Sequence, residues 1–302
     1  MLLKTKVIQG EQAGPHLLIT AGVHGDEFEG IVAVQRLMRE LVATATRGKV
    51  TLVPVVNESA FGQKNRCGKD GLDLARTCPG NPQGSVTEQA ASALTQLIET
   101  ADLYVDLHSG GVTMDVYPLA GYMLVESPQV LEASRRMARA FALPLVWGTT
   151  DKLDGRSMSA ARDAQVPAIY VEYRGEGRCN QHGVEAMING CRNVMAEFGL
   201  LEKVVPEPRQ QIVHEDPRPE SGHMQICCPA PKDGVFETAV TVGQFVKQGD
   251  VLGTLSDPFT GEGQEVVSSQ TGSVIVLRTY PQVGQGDALA VVLEDERELP
   301  PC

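Results

Sequence analysis

Nowhere in its 302 residues does this chain carry an apolar run long enough to cross a bilayer. Its first residues, Met1-Leu2-Leu3-Lys4-Thr5-Lys6, also lack the apolar core of a secretory signal. There is no C-x-x-C, and the seven cysteines, at 67, 78, 179, 191, 227, 228 and 302, are odd in number. Both facts argue against a disulfide framework and against a thiolate zinc site. Cys227 and Cys228 are adjacent, an awkward geometry for a bond to each other, and Cys302 is not in a prenylation box. Basic charge is scarce: 26 Lys and Arg face 38 Asp and Glu, for a formal net charge of -12. Such a surface repels phosphate backbones, which argues against a nucleic-acid partner. The expectation is a cytoplasmic protein with reduced thiols and neither a membrane nor a nucleic acid as partner. Hydrophobic residues make up 42% of the chain and charged ones 21%, enough for a packed core. The length admits one large domain or two.

What is present is organised around Leu17-Leu18-Ile19-Thr20-Ala21-Gly22-Val23-His24-Gly25-Asp26-Glu27. Four apolar or β-branched residues read as a buried strand, and two glycines break it. From Phe28 the apolar spacing of three and four predicts an amphipathic helix. Lys4 to Gln9 and Lys49 to Val56 read as strands, with Pro54 marking an edge or a strand end. Residues 57 to 85 read as one long irregular segment, a length that in a compact domain usually serves function. Ser85 or Thr87 then caps a helix near 88–99. Leu103 to Leu107 is a strand delivering His108 into Ser109-Gly110-Gly111, and Ala168 to Val171 a strand delivering Glu172. Helices are predicted at 128–143 and 185–198, with Gly199 as a stop. This alternation predicts an α/β domain with a largely parallel sheet flanked by helices, over residues 1–203. Pro206, Pro208, Pro217 and Pro219 mark a linker. Beyond it, residues 204–302 read as a small all-β domain with a weak repeat at an offset of about 38 residues. That pattern resembles the barrel-sandwich fold of biotinyl and lipoyl carriers, but 256–267 holds no acceptor Lys, which points to a structural or lid module.

In an α/β sheet, ligands bind at the carboxyl ends of strands. His24 and Glu27 emerge there, and both suit a borderline metal such as zinc. His108, at another strand end, is the natural third ligand, leaving one position for water. Asp106 shares its strand face and is placed to orient an imidazole. Glu172 is the candidate general base, ahead of Glu176. Arg66 and Arg76 lie in the long segment; one suits a developing oxyanion, the other a substrate carboxylate. Asp73 either buttresses one of them or joins them in binding substrate. His16, His182, His214 and His223 read as surface residues.

These pieces in this order resemble the succinylglutamate desuccinylase/aspartoacylase family, relatives of the zinc carboxypeptidases. They are Gly22-Val23-His24-Gly25-Asp26-Glu27, Arg66, Asp70-Gly71-Leu72-Asp73-Leu74-Ala75-Arg76 with Pro79-Gly80, Asp106-Leu107-His108-Ser109-Gly110-Gly111, and Val171-Glu172. The branch nearest in look comprises N-acetyl-diaminobutyrate deacetylases. The resemblance implies a zinc-carboxypeptidase-like fold and about one zinc per chain on His24, Glu27 and His108. It also implies Glu172 as base, Arg66 as oxyanion donor, Arg76 on the substrate carboxylate and a small N-acyl amino acid as substrate. Two positions depart. Ala75 stands where the family usually has Asn, and Tyr173-Arg174 intervenes before Gly175. Arg174 reads either as a replacement anion binder or as a surface charge. The rival readings are a carboxypeptidase acting on short peptides and a non-catalytic binding protein; homo-oligomerisation is left open.

Overall fold

A computed structural model describes residues 3–202, 210–219, 221–224 and 227–300. Pro206, Pro208, the expected boundary at 203/204 and Cys302 lie outside the described residues. The chain runs β1 (Lys6–Gln9), β2 (Gln12–Ala21), α1 (Phe28–Glu40), β3 (Arg47–Val53), α2 (Glu58–Gln63), α3 (Val86–Ile98), β4 (Leu103–His108) and β5 (Met114–Val116). It continues with β6 (Leu119–Met123), α4 (Pro128–Phe141), β7 (Leu145–Thr149), α5 (Ser157–Asp163), β8 (Ala168–Glu172), α6 (Gln181–Glu197) and β9 (Ile212–Glu215). Short strands follow: β10 (Gly234–Thr238), β11 (Phe245–Val246), β12 (Val251–Ser256), β13 (Gly263–Val267), β14 (Gly272–Arg278), β15 (Gln282–Val283) and β16 (Ala290–Leu293). Among the described residues no helix is long and apolar enough to cross a membrane, and the six described cysteines are free.

Eight strands form one mixed sheet in the order β1-β3-β2-β4-β8-β6-β7-β9. Its centre, β3-β2-β4-β8, is parallel, so the carboxyl ends of these strands share one edge. Strand alternation then sorts the side chains. Leu17, Ile19 and Ala21 of β2, Leu103, Val105 and Leu107 of β4, and Ile169 and Val171 of β8 pack under α1, α4 and α6. Leu18, Tyr104 and Ala168 face the other way and pack with α3 and α5. The same period of two puts Thr20, Asp106, His108, Tyr170 and Glu172 on that second face. The site's polar groups therefore emerge where the parallel strands end, on the α3/α5 side.

The approach of α1 to β4 is close enough to require Gly30. A Cβ there would lie 2.8 Å from Leu107 Cβ and 3.0 Å from Leu107 O, backbone that cannot yield. Since α1 follows Glu27 and β4 ends in His108, the gap at Gly30 sets the spacing of both. Gly30→Ala is expected to cost about 1–3 kcal/mol by overpacking. It should also weaken metal binding, read by thermal melts with and without zinc.

The β-rich end forms two further sheets, β13-β12-β10-β15 and β11-β14-β16. The repeat seen in the sequence relates β10 to β14, but each short strand crosses over: β15 pairs with β10, and β11 with β14. Phe236, Leu252, Leu255, Val274, Leu277 and Leu289 fill the core between them.

Several expectations need correction. The linear division at 203/204 does not match the sheets. β9, beyond it, pairs parallel with β7 in the large sheet, and β5, before it, pairs with β14 of the C-terminal strands. Ile212, Leu145, Trp147 and Val116 pack with Ile275, Val276 and Val291 in one apolar cluster, which rewards this exchange. His16 is not a surface residue. β2 begins earlier than its apolar run, so His16 lies inside the sheet, 8% exposed, with Nδ1 2.7 Å from Thr100 O and Nε2 2.8 Å from Thr51 Oγ1. His214 is half-buried beside Asp295 (Nδ1···Oδ2 3.0 Å), and His223 is half-buried too; His182 is exposed. The segment 57–85 is not wholly irregular, since it contains α2 and a 3-10 turn at Leu74–Arg76. Pro54 closes β3, which is an inner strand. Ser85, not Thr87, caps α3: its side chain accepts from Glu88 N, and Ser85 N donates to Glu88 Oε2 at 2.7 Å.

Candidate metal centre

The turn after β2 carries the first two ligand candidates. Gly22 adopts φ +66°, a left-handed conformation that favours glycine. Gly25 lies against α2, where a Cβ would sit 2.1 Å from Ala60 C. Chain reversal here brings His24 and Glu27 together, with His24 Nδ1 2.6 Å from Glu27 Oε1. From the end of β4, His108 Nδ1 lies 2.9 Å from Glu27 Oε2. One ligand atom from each of His24, Glu27 and His108 lies within 4.8 Å of the others, and all three residues are buried. Ligand atoms around a four-coordinate zinc sit about 3.3 Å apart, given bonds of about 2.0–2.1 Å.

The surroundings of the imidazoles test the fit. Each ring turns Nδ1 to the cluster and Nε2 to a carboxylate: His24 Nε2 lies 3.1 Å from Asp73 Oδ1, and His108 Nε2 3.1 Å from Asp106 Oδ2. Such carboxylate partners fix the tautomer that leaves the other nitrogen to a metal. Asp106 is fully buried and held in turn by Thr20 Oγ1 at 2.7 Å and Ser157 Oγ at 2.5 Å. Burial disfavours its charge, yet His108 and these hydroxyls hold its pKa below the usual value. Burial works against charge on His108 as well, but Asp106 and Glu27 raise its pKa well above the ordinary value. Glu27 is also buried, and the two histidines pull its pKa down. The donor set and its outer acceptors fit a divalent metal.

Glu172 ends β8 directly beside His108, its register partner. It is 8% exposed, and Oε2 has no hydrogen-bond partner among the described residues. Burial, with Glu27 nearby, pushes its pKa up from 4.5 to about 8, against the pull of His108 and Arg66.

These groups open into one cavity of about 270 Å³. Arg66 and Arg76 line it, as does Arg156, which sequence reasoning missed. Arg66 Nε donates to Asp73 Oδ2 at 3.0 Å, and its Nη1 lies 3.8 Å from Glu27 Oε1. Burial and the neighbouring Arg76 push the Arg156 guanidinium down to about 10. Three guanidinium groups, Arg66, Arg76 and Arg156, thus share the cavity wall. No spacing signal announces Arg156: it precedes α5 in a loop that the sequence reading left without an element. Met114, Met123, Leu153, Met158, Met224 and Val276 supply apolar wall, and Arg278, Asp287 and Ala288 close it from the C-terminal strands.

Two expected substrate contacts are placed elsewhere. Asp73 spends Oδ1 on His24 and Ala75 N and Oδ2 on Arg66, so it orients these groups and is not among the residues lining the cavity. Arg174 is also absent from the lining; Nη1 pairs with Asp115 Oδ2 at 3.2 Å because its backbone is tied to β5 through Val116 O. Glu176, the alternative base, is exposed and does not line the cavity.

A model of the succinylglutamate desuccinylase/aspartoacylase catalytic domain matches residues 13–198. The chain belongs to that family. Within it, the N-alpha-acetyl-L-2,4-diaminobutyric acid deacetylase of Halomonas elongata is 32% identical over 301 residues, covering 97% of this chain and 86% of the relative. Among solved structures, the product-bound ectoine utilization protein EutE (DoeB) of Ruegeria pomeroyi superposes with a TM-score of 0.87 at 30% identity, covering 95% of this chain and 87% of that one. A succinylglutamate desuccinylase from a Silicibacter species gives a TM-score of 0.86 at 29% identity, covering 95% and 87% of the two chains. These aspartoacylase-family likenesses span both the large sheet and the C-terminal strands.

Proposed function

We propose that this protein is a zinc-dependent amidohydrolase that deacylates a small N-acyl amino acid in the cytoplasm. One observation carries the reading. A buried carboxylate with an unpartnered oxygen, Glu172, shares a cavity with a His-Glu-His cluster whose outer nitrogens rest on carboxylates. His24, Glu27 and His108 would hold the zinc, which when bound acidifies water and polarises the scissile carbonyl.

The chain's own groups divide the remaining work. Glu172, buried in the same cavity as the ligand cluster, takes the proton of the attacking water and returns it to the leaving amine. Arg66, steadied by Asp73, offers its guanidinium to the oxyanion that develops on the carbonyl. Arg76 and Arg156 face the same cavity and hold the carboxylate of the amino-acid half. Arg156 thereby supplies the second contact that Ala75 does not. The deacetylase of Halomonas elongata, which acts on an N-acetylated diamino acid by its name, supports this substrate class.

The carboxypeptidase reading uses the same metal but needs room for a peptide. Val276, Arg278, Asp287 and Ala288 wall the cavity from the C-terminal strands, which favours small amides. A panel of N-acetyl amino acids against dipeptides decides between them: hydrolysis of the former is expected, and preference for the latter would reject the deacylase. Dialysis against a strong chelator should abolish hydrolysis, with about one equivalent of zinc per chain restoring it. Retained activity in metal-free protein would refute the metal site.

A further inference from the structure

We infer that Asp287 selects substrates whose amine half carries a second, cationic group. The inference rests on the deacylase reading above and assigns part of its specificity to the C-terminal strands. The described residues lining the cavity include three acids, Glu27, Glu172 and Asp287. Glu27 is held between two imidazoles and Glu172 is the proton carrier, which leaves Asp287 without a role in the chemistry.

Its geometry suits recognition. Asp287 N donates to Gly284 O at 3.0 Å and Gly284 N donates back to Asp287 Oδ2 at 3.0 Å, so a tight turn fixes the carboxylate. Ala288 and Leu289, both buried, anchor that turn to the core. Arg278 Nη2 also lies 3.0 Å from Oδ2. Oδ1 accepts no hydrogen bond among the described residues, and the side chain remains 43% exposed.

The pair does not offer its positive member instead. The Arg278 side chain is 11% exposed. Its Nε donates to Tyr280 O at 3.2 Å and its Nη2 to Gln282 O at 3.1 Å. Its charge is folded into the turn, and the accessible charge at this wall is the carboxylate. Met114 stands opposite Arg278 across the β5–β14 pair, so an apolar surface adjoins Asp287 where methylenes can lie. The complementary ligand is an N-acyl amino acid with a short aliphatic side chain ending in an ammonium.

Three acetylated substrates of one length test this on the zinc-loaded enzyme: Nα-acetyl-2,4-diaminobutyrate, N-acetylnorvaline and N-acetylglutamate, ending in ammonium, methyl and carboxylate. Wild type should prefer them in that order, and the preference for ammonium over methyl should shrink as salt screens a half-exposed pair. Asp287→Asn keeps the acceptor for Gly284 N. It should lower the ammonium-to-methyl ratio of kcat/KM by about threefold to fivefold, mainly through KM. Arg278→Gln removes the competing cation and should raise that ratio. An equal loss on all three substrates in Asp287→Asn, or a wild-type preference for methyl or carboxylate, overturns the assignment alone. Hydrolysis of none of the three by zinc-loaded wild type overturns the deacylase reading itself.

Discussion

Glu172→Gln is expected to retain zinc and to lose about 10²–10⁴-fold in kcat, the range for removing a general base. The amide keeps the shape of the carboxylate at the end of β8 but cannot accept the proton of the attacking water. Metal content should be unchanged, because the three ligand candidates are His24, Glu27 and His108. The same variant tests the electrostatics. Burial raises the folded-state pKa of Glu172 from 4.5 to about 8. A raised carboxyl contributes stability that is complete below the unfolded value and is lost as pH rises through the folded one. In metal-free protein, the melting temperature of wild type should therefore fall relative to Glu172→Gln between about pH 5 and pH 9. Parallel pH curves for the two proteins would show that Glu172 ionises freely.

His108→Ala should remove both zinc and hydrolysis. It deletes one of three ligands and strips Asp106, which is fully buried, of its imidazole partner. Breaking a buried pair by removing one member typically costs about 3–5 kcal/mol, so a lower melting temperature is expected as well. Metal analysis on the folded fraction separates the two effects. Asp106→Asn provides the graded comparison: the imidazole stays but its acceptor weakens, and zinc affinity should drop about 10–100-fold. Full hydrolysis by His108→Ala would move the metal away from this cluster.

The residues that sequence reasoning located best are those tied to strand ends. β2, β4 and β8 each approach their carboxyl ends through mostly apolar stretches, so those ends are readable. His24, Glu27, His108 and Glu172 then fall at one edge of a parallel sheet. The structure does bring the first three together. What escaped had no local period. β9 is four residues long, follows a Pro-rich stretch and is defined by pairing with β7. Arg156 enters the cavity because α5 packs against α3, a tertiary fact. For Asp73, its arginine neighbours in sequence left two roles open, buttress or substrate contact. Its oxygens go to Arg66, which is the buttress role, and to His24, a partner set by the fold of 57–85. His16 misled because it precedes the apolar run, whereas ladder pairing extends β2 back to Gln12.

The exchange of strands between sheets bears on the order of synthesis. As the nascent chain leaves the ribosome, β7 keeps an open hydrogen-bonding edge until Ile212–Glu215 emerges, and β5 waits for Gly272–Arg278. Unpaired edges of this kind invite association between chains. Translation that stalls after α6 should thus leave a sticky, unfinished sheet, and the last third of the polypeptide serves as its closing clasp.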